Sequence, residues 1–174
     1  MKNSGRVVNT PGHEPSGVDQ AIEGPRRYFE DLVVGESRMS RERPVSLEEL
    51  LAFARAYDPQ YFHADPQAAR HSVFGETVAS GIHTMALWRQ LDHEIGADIA
   101  WICGVAWEDV RWPRAVRAGD RLRAKAQCLA KRPSKSDPAR GVVEYRYTLV
   151  NQLDQVVFTC RSINLVEVRT TGPN

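Results

Sequence analysis

The spacing of apolar residues changes near residue 100. Up to that point apolar side chains recur every three to four residues, which is typical of one face of a helix, whereas beyond it they alternate with polar residues as they do along a half-buried strand. In the stretch RLRAKAQCLAKR every second residue from Leu122 to Cys128 is apolar, and VVEYRYTLV and QVVFTCRSINLVEV repeat that alternation. The pattern predicts helices in the first part of the chain and strands in the second.

The segment VSLEELLAFARAY carries the best-defined helix pattern. Ser46 and Glu49 have the spacing of a capping box, in which each side chain bonds to the other residue's backbone N–H. Leucine and alanine then recur at helical spacing, and Pro59 disfavours helical dihedral angles at Asp58, the residue before it. The sequence therefore predicts a helix that begins after Ser46 and ends at Asp58.

Two more helices are predicted before residue 100. Asp65 followed by Pro66 is typical of an N-cap with proline in the first helical position, so we expect a short helix over about 66–72, with His63 in the connector that precedes it. The segment IHTMALWRQLDHEIG predicts a longer helix that ends at Gly96 and that, as the most apolar one, should be buried. Its apolar stripe consists of Ile82, Met85, Ala86, Leu91 and Ile95.

The links between the later strands decide the fold class. PSKSDPARG and NQLDQ are rich in turn residues and too short for helical crossovers, so the sheet should be largely antiparallel. The sequence predicts an α+β fold in which a curved antiparallel sheet wraps around a central apolar helix. With 174 residues and 42% apolar content we expect one domain over 27–169, between a flexible N-terminal tail, 1–26, and a C-terminal tail, 170–174.

The charge balance bears on the binding partners of the protein, and the apolar runs and cysteines bear on its cellular location. The 23 Lys and Arg residues nearly balance 22 acidic ones, without a long block of either sign, so nucleic acid and membrane surfaces are not expected partners. The chain has neither a signal-peptide core nor an apolar run long enough for a membrane span, and we expect a cytoplasmic protein. The three cysteines, Cys103, Cys128 and Cys160, are widely spaced and are expected as buried thiols.

Several familiar active-site motifs are missing from the sequence. It has no Gly-Lys-Ser/Thr phosphate loop, no GxGxxG, no HExxH and no CxxC, and TVASGIH does not form the GxSxG turn of α/β-hydrolases. Nucleotide chemistry and serine hydrolysis are therefore disfavoured. No residue pattern calls for a metal or a redox cofactor.

What remains is a carboxylate, an imidazole and a glycine in a fixed order. Asp58 ends the first helix, His63 follows five residues later, and Gly81 opens the apolar helix. A carboxylate beside an imidazole can hold a water molecule and move a proton near neutral pH. The free N–H groups at a helix start can stabilise negative charge on a carbonyl oxygen, and glycine permits close approach. These parts suit the addition of water across a double bond, although Asp58 and His63 could also be ordinary turn and loop residues.

The order of these residues resembles the MaoC-like dehydratases, which include (R)-specific enoyl-CoA hydratases with the hot-dog fold. The resemblance spans roughly 28–168 and is carried by YFEDLVVGES, by VSLEELLAFARAYDPQYFHADPQAARHSVFGETVASGIHTMAL and by DVRWPRAVRAGDRLRAKAQ. Asp58 and His63 match the family's catalytic pair, and Gly81 matches the glycine whose N–H faces the thioester carbonyl. The resemblance implies hydration of enoyl thioesters, or dehydration of (3R)-hydroxyacyl thioesters, carried by coenzyme A or acyl-carrier protein.

One departure from the family lies between the two catalytic positions. The usual Asn-Pro pair is replaced, with the proline moved forward to Pro59 and Gln60 in the asparagine's place. Gln60 is therefore a candidate substrate contact, and the departure bears on the substrate more than on the chemistry. The sequence Gly119-Asp120 is interpreted as a structural turn. The arginines Arg114, Arg117 and Arg121 are either a solvated face or a site for coenzyme A phosphates.

Three other residues near Asp58 and His63, namely Ser80, His83 and Phe74, each have two possible interpretations. Ser80 is the expected N-cap of the apolar helix and a candidate substrate contact. His83 is either a core histidine or part of the pocket, and Phe74 is either packing or a wall of an acyl tunnel. Trp107 and Trp112 are expected in the core. His71 and His93 are expected to be solvated.

Two other functions remain open. A hot-dog thioesterase would place its carboxylate differently, and a non-catalytic acyl-thioester-binding subunit would not need both Asp58 and His63. Because a single sheet of this kind leaves exposed edges, we also expect a twofold dimer or a higher homo-oligomer with a continuous sheet.

Overall fold

The computed structural model describes residues 26–169, so that the two predicted tails, apart from residue 26, lie outside the described residues. The helices are α1 (Leu47–Tyr57), α2 (Tyr61–Ala64), α3 (Pro66–Ala69) and α4 (Gly81–Gly96), and a short 3-10 turn covers Phe29–Asp31. The strands are β1 (Ser37–Met39), β2 (Arg43–Pro44), β3 (Trp101–Arg111), β4 (Arg121–Pro133), β5 (Arg140–Val150) and β6 (Val156–Glu167). No helix within 26–169 has the length and apolar character needed to cross a membrane.

The strands form one sheet in the order β1-β4-β5-β6-β3, and β2 also pairs with β4. All of these pairings are antiparallel, as the short links between the later strands predict. Register shifts interrupt the pairings of β4 with β5, β5 with β6 and β3 with β6, and such bulges bend a strand. The predicted α+β class is confirmed.

Helix α4 is the central helix of the core, as predicted, but its buried face differs from the predicted stripe. Leu87, Trp88 and Leu91 are at most 1% exposed and pack with the sheet residues. Ile82, by contrast, is 58% exposed. The buried residues of the helix are His83, Thr84, Leu87, Trp88, Leu91, Asp92 and Gly96. Compared with the predicted stripe, the buried face of α4 is turned toward Trp88, because the largest apolar side chain gains the most free energy from burial.

The helix ends follow their local capping residues. Ser46 and Glu49 form the predicted capping box, and α1 ends at Asp58. The Asp65 side chain accepts hydrogen bonds from two backbone N–H groups and caps α3, which is shorter than predicted. His63 lies between α1 and α3, as predicted, but the connector itself contains a short helix of four residues, α2, which the sequence did not predict.

Strand β3 forms one edge of the sheet, and this corrects three expectations about burial. Trp107 within this strand and Trp112 just after its end, both predicted in the core, are each 46% exposed, and Cys103 of the strand, predicted as buried, is exposed. Cys128 and Cys160 are buried, as predicted. An edge strand is covered by a neighbour on one side only, so alternation in its sequence does not guarantee burial.

Candidate active site

Three short segments converge where α1 ends and α4 begins. The Ser80 hydroxyl donates a hydrogen bond of 2.6 Å to Asp58 Oδ2 and accepts one of 3.2 Å from the Ile82 N–H. The same hydroxyl therefore caps α4, as predicted, and holds the carboxylate at the end of α1. Ser80 is only 1% exposed, whereas the Asp58 side chain is 20% exposed, so the link between the two helices is buried at its Ser80 end and open to water at its Asp58 end.

His63 faces the same carboxylate from α2. Its Nε2 lies 3.9 Å from Asp58 Oδ2, which is too long for a direct hydrogen bond. The other ring nitrogen, Nδ1, lies 2.8 Å from the Val78 carbonyl oxygen, and since a carbonyl only accepts, Nδ1 carries the proton. In the neutral ring Nε2 therefore presents a lone pair toward Asp58, and one water molecule could bond to both atoms.

Hydrogen bonds keep the Asp58 carboxyl group ionised. The Ser80 hydroxyl and then the Gln60 amide, which donates to Asp58 Oδ1 at 3.0 Å, lower the pKa of Asp58 below its ordinary value. Each of these donors favours the charged carboxylate over the neutral acid. The sequence indicated Gln60 as a candidate contact, and the structure places it on the far oxygen of Asp58, away from the oxygen that faces His63.

Gly81 opens α4 directly beside Ser80. Its N–H has no hydrogen-bond acceptor in the part of the chain that the structure describes, as is usual for the first turn of a helix. The Trp112 indole N–H donates to the Gly81 carbonyl oxygen at 3.1 Å, and a Cβ atom on Gly81 would lie 3.3 Å from that indole ring. The bare backbone of this first turn is thus held in place by Trp112.

The remaining candidates lie around this centre. Phe74 is 36% exposed and packs on Phe62, whose ring meets that of His63 edge-on with 4.4 Å between centroids. His83 is buried and stacks on Phe53 at 4.3 Å, and burial lowers its pKa. No hydrogen bond within 26–169 joins His83 to Asp58 or His63, and its Nδ1 has no partner there. His83 is thus buried against Phe53, with one ring nitrogen that has no hydrogen-bond partner within 26–169, and its role as a substrate contact stays a prediction.

The predicted basic cluster is divided among separate ion pairs. Arg117 pairs with Glu76 at 2.7 Å, and Arg121 pairs with Glu42 at 2.6 Å. Among the described residues Arg114 donates to the Val156 carbonyl oxygen, at 3.5 Å, and forms no ion pair. The Gly119-Asp120 turn is confirmed as structural: Gly119 has a φ of 88°, and Asp120 accepts from the Arg117 N–H.

Sequence reasoning missed three contributions to this centre. The bond between Ser80 and Asp58 joins residues 22 positions apart, and the anchors of His63 and Gly81 are the Val78 carbonyl and Trp112. None of these pairs leaves a spacing pattern in the sequence. Within 26–169 no three His, Cys, Asp or Glu side chains come together as metal ligands.

Comparison with known proteins places the chain in a family. A MaoC like domain matches residues 31–151. The crystal structure of the MaoC-like dehydratase from Rhodospirillum rubrum is 38% identical in sequence, with a TM-score of 0.77 over 83% of this chain and 99% of that one. A Mycobacterium tuberculosis protein with a double hotdog fold shares the fold at 15% identity, with a TM-score of 0.69 over 86% of this chain and 47% of that one.

Two curated relatives are similar in sequence. The uncharacterized protein YdeM of Bacillus subtilis is 28% identical over 133 residues, which is 75% of this chain and 92% of that protein. The 3-hydroxyacyl-thioester dehydratase Z of Mycobacterium tuberculosis is 38% identical over 90 residues, 49% of this chain and 58% of the dehydratase. With a family domain that covers most of its length, the chain belongs to the MaoC-like dehydratase family and adopts a hot-dog fold.

Proposed function

We propose that this protein is a hydratase or dehydratase that interconverts enoyl thioesters and (3R)-hydroxyacyl thioesters of coenzyme A or acyl-carrier protein. The observation that carries the proposal is the spacing of Asp58 Oδ2 and His63 Nε2, 3.9 Å apart beside the first turn of α4. The curated relative from Mycobacterium tuberculosis, a 3-hydroxyacyl-thioester dehydratase, supports the same reaction class.

In the proposed reaction one water molecule bonds to the Asp58 carboxylate and to the lone pair of His63 Nε2. As the water oxygen attacks C3 of the enoyl group, one of its protons passes to the pair, and the pair then delivers a proton to C2 on the same face. The net change is the addition of one water molecule, with the hydroxyl on C3 and the hydrogen on C2. The proposal assigns the transferred proton to the pair as a whole rather than to either residue.

Gly81 has the second role in this proposal. Attack at C3 moves negative charge onto the thioester carbonyl oxygen, and a helix N–H group that points at this oxygen stabilises the charge without having to reorganise. The Gly81 N–H begins a helix of 16 residues and meets no other acceptor in the described part of the chain. We assign Phe74, which is partly exposed beside Phe62, to the wall that contacts the acyl group.

The same proposal includes a second copy of the chain. Strand β3 ends the sheet, and its side chains Ile102, Val105 and Trp107 are 40%, 59% and 46% exposed. Pairing of two β3 edges about a twofold axis would continue the sheet and cover these residues.

The proposal also places the protein in the cytoplasm, because all three cysteines are free thiols, which suits a reducing compartment.

The experiment that tests the proposed activity is incubation of the purified protein with crotonyl-CoA and a longer enoyl-CoA. We expect loss of the enoyl absorbance with the wild type, and a fall in rate of about a hundredfold or more in both Asp58→Asn and His63→Ala. His71→Ala is the matched control, because His71 is an exposed histidine and should keep wild-type activity.

The two rival functions give different results in the same assay. A thioesterase would release free coenzyme A thiol while leaving the enoyl group unhydrated. A binding subunit would leave both the thioester and the double bond intact. Either outcome with a folded wild-type protein would overturn the proposed reaction.

A further inference from the structure

The last residues of β3 depart from the simple alternation of a strand. Glu108, Val110 and Trp112 follow one another at intervals of two, so in a regular strand all three side chains would lie on one face of the sheet. Glu108 forms an ion pair with the half-exposed Arg161, whereas Val110 packs against the core. The ring of Trp112, directly after the strand, lies 5.9 Å from that of the fully buried Phe158. The side chains of β3 therefore change faces between Glu108 and Val110.

A β-bulge at Asp109 causes this change of face. Glu108 pairs with Arg161 and Arg111 pairs with Thr159, so β3 advances by three residues while β6 advances by two. Asp109 has a φ of 51°, which lies in the left-handed region that side chains other than glycine rarely adopt. Bulges of this kind usually have glycine at the left-handed position. The extra residue in the strand thus depends on an unusual backbone conformation at Asp109.

The side chain of Asp109 has little other structural role. It is exposed and lies near the charge of Arg161, but within 26–169 it forms neither a hydrogen bond nor an ion pair. Aspartate and asparagine enter the left-handed region more readily than other side chains, whereas β-branched residues almost never do. The type of residue at position 109 therefore decides how easily the bulge forms.

The bulge turns Trp112 toward the first turn of α4. The indole N–H donates to the Gly81 carbonyl oxygen at 3.1 Å, and the ring covers the glycine. The N–H of the same peptide unit, which belongs to Ile82, donates to the Ser80 hydroxyl at 3.2 Å. This peptide unit is thus held at both ends. Because glycine has no side chain to restrict its backbone angles, these contacts fix the orientation of Gly81.

We propose that Asp109 is a positioning residue of the candidate active site. Its left-handed backbone turns Trp112 toward α4, and Trp112 holds the helix start whose Gly81 N–H meets the thioester carbonyl oxygen. Without the bulge, Trp112 would lie on the same face as Glu108 and the Gly81 carbonyl would lose this donor. The role in catalysis rests on the proposed function, whereas the placement of Trp112 by Asp109 can be measured without any activity.

The test uses three substitutions at position 109 and one control. Asp109→Val disfavours the left-handed conformation, whereas Asp109→Gly and Asp109→Asn permit it, and all three remove the charge. Asp154→Val is the matched control, because Asp154 has a φ of 54° but lies in the turn between β5 and β6. If Asp109→Val does not fold, Asp109→Ala, which disfavours the left-handed conformation less strongly, replaces it.

The position of Trp112 is read from the NMR signals of the indole N–H groups in protein made with isotope-labelled tryptophan. The chain has four tryptophans, and the signal that is missing in Trp112→Phe identifies Trp112. In Asp109→Val this signal should shift and its proton should exchange faster with solvent, because the bond to the Gly81 carbonyl is lost. Asp109→Gly, Asp109→Asn and Asp154→Val should keep the wild-type signal. An unshifted signal in Asp109→Val, or a shifted one in both Asp109→Gly and Asp109→Asn, would overturn the inference.

Hydration of crotonyl-CoA measures the consequence for the site. Asp109→Val and Trp112→Phe should each lower kcat about fivefold, which corresponds to the loss of one hydrogen bond. KM should change little, because the Gly81 N–H is proposed to bind charge that develops only during the reaction. With both changes together the fall should be no larger than with either alone, because both remove the same contact. Losses that multiply, or a wild-type kcat in Asp109→Val, would overturn the inference.

The two measurements separate failure of this inference from failure of the proposed function. A wild type that hydrates crotonyl-CoA, together with an Asp109→Val variant that matches it in kcat and in the Trp112 signal, would overturn the inference alone. A wild type that hydrates no enoyl-CoA would contradict the proposed function and with it the catalytic role of Asp109. The indole signals would then still decide whether Asp109 sets the position of Trp112.

Discussion

The most informative single substitution removes the hydroxyl that joins the two helices of the site. In Ser80→Ala the α4 N-cap loses its bond to the Ile82 N–H, and Asp58 loses its 2.6 Å donor. Loss of an N-cap costs about 1 kcal/mol in free energy of unfolding. Loss of a hydrogen bond to a charged group costs about 1.5 kcal/mol more, taken at the low end because Asp58 is 20% exposed and water can replace part of the bond. Together they predict a loss of about 2–3 kcal/mol at pH 7.

The two parts of this loss depend differently on pH. The bond to Ser80 lowers the folded-state pKa of Asp58 below its ordinary value of 3.8, so its contribution to stability is present above that value and is lost as the pH falls through the folded-state pKa. The cap contribution does not titrate. The deficit of Ser80→Ala should therefore shrink toward about 1 kcal/mol in acid. In the same variant the acid limb of the kcat/KM profile should move to higher pH, because the carboxylate becomes easier to protonate.

The assay is urea unfolding followed by tryptophan fluorescence, at a series of pH values from 7 down to 3, together with the pH profile of crotonyl-CoA hydration. Ser46→Ala is the matched control, because Ser46 caps α1 in the same way but makes no bond to Asp58. It should lose about 1 kcal/mol without moving the acid limb. A Ser80→Ala deficit that is constant with pH, with an unmoved acid limb, would refute the assigned role of this hydroxyl.

Three further substitutions test packing and positioning. Gly141→Ala would place a Cβ atom 1.9 Å from the Phe29 ring, so the ring must move. The free energy of unfolding, measured with urea, should fall by about 1–3 kcal/mol, and an unchanged urea midpoint would contradict this contact. Trp112→Phe removes the indole N–H that donates to the Gly81 carbonyl oxygen, so the free energy of unfolding should fall by about 1 kcal/mol and kcat for crotonyl-CoA should decrease. An unchanged kcat would show that Trp112 does not position Gly81. Leu87→Ala, at a site 1% exposed, should cost about 2–5 kcal/mol, and a loss below 1 kcal/mol would show that α4 is not the central core helix.

The sequence predicted those features whose physical cause is local. The caps at Ser46, Asp65 and Ser80 are correct because a side chain and its backbone partner lie within three residues of each other. The antiparallel sheet is correct because short turn-rich links allow no other connection. The short helix around His63 was missed because four residues are too few to show a helical period.

Features that depend on distant contacts could not be predicted. The side of α4 that is buried is decided by Trp88 and the sheet residues that surround it, and the exposure of Trp107 by the position of β3 at the sheet edge. At the site, the sequence supplied Asp58, His63 and Gly81 through spacing and family resemblance. The bond between Ser80 and Asp58 joins residues 22 positions apart and could be seen only in the folded structure.

The central claim is that Asp58 and His63 act on one water molecule as a single unit, and a double-mutant cycle tests it most directly. The quantity to measure is kcat/KM for crotonyl-CoA in the wild type, Asp58→Asn, His63→Ala and the double variant. If the pair works as a unit, the double variant should be no slower than the slower single variant, because either change already disables the unit. Losses that multiply in the double variant would mean that the two side chains act independently, and would contradict the shared water that their 3.9 Å separation suggests.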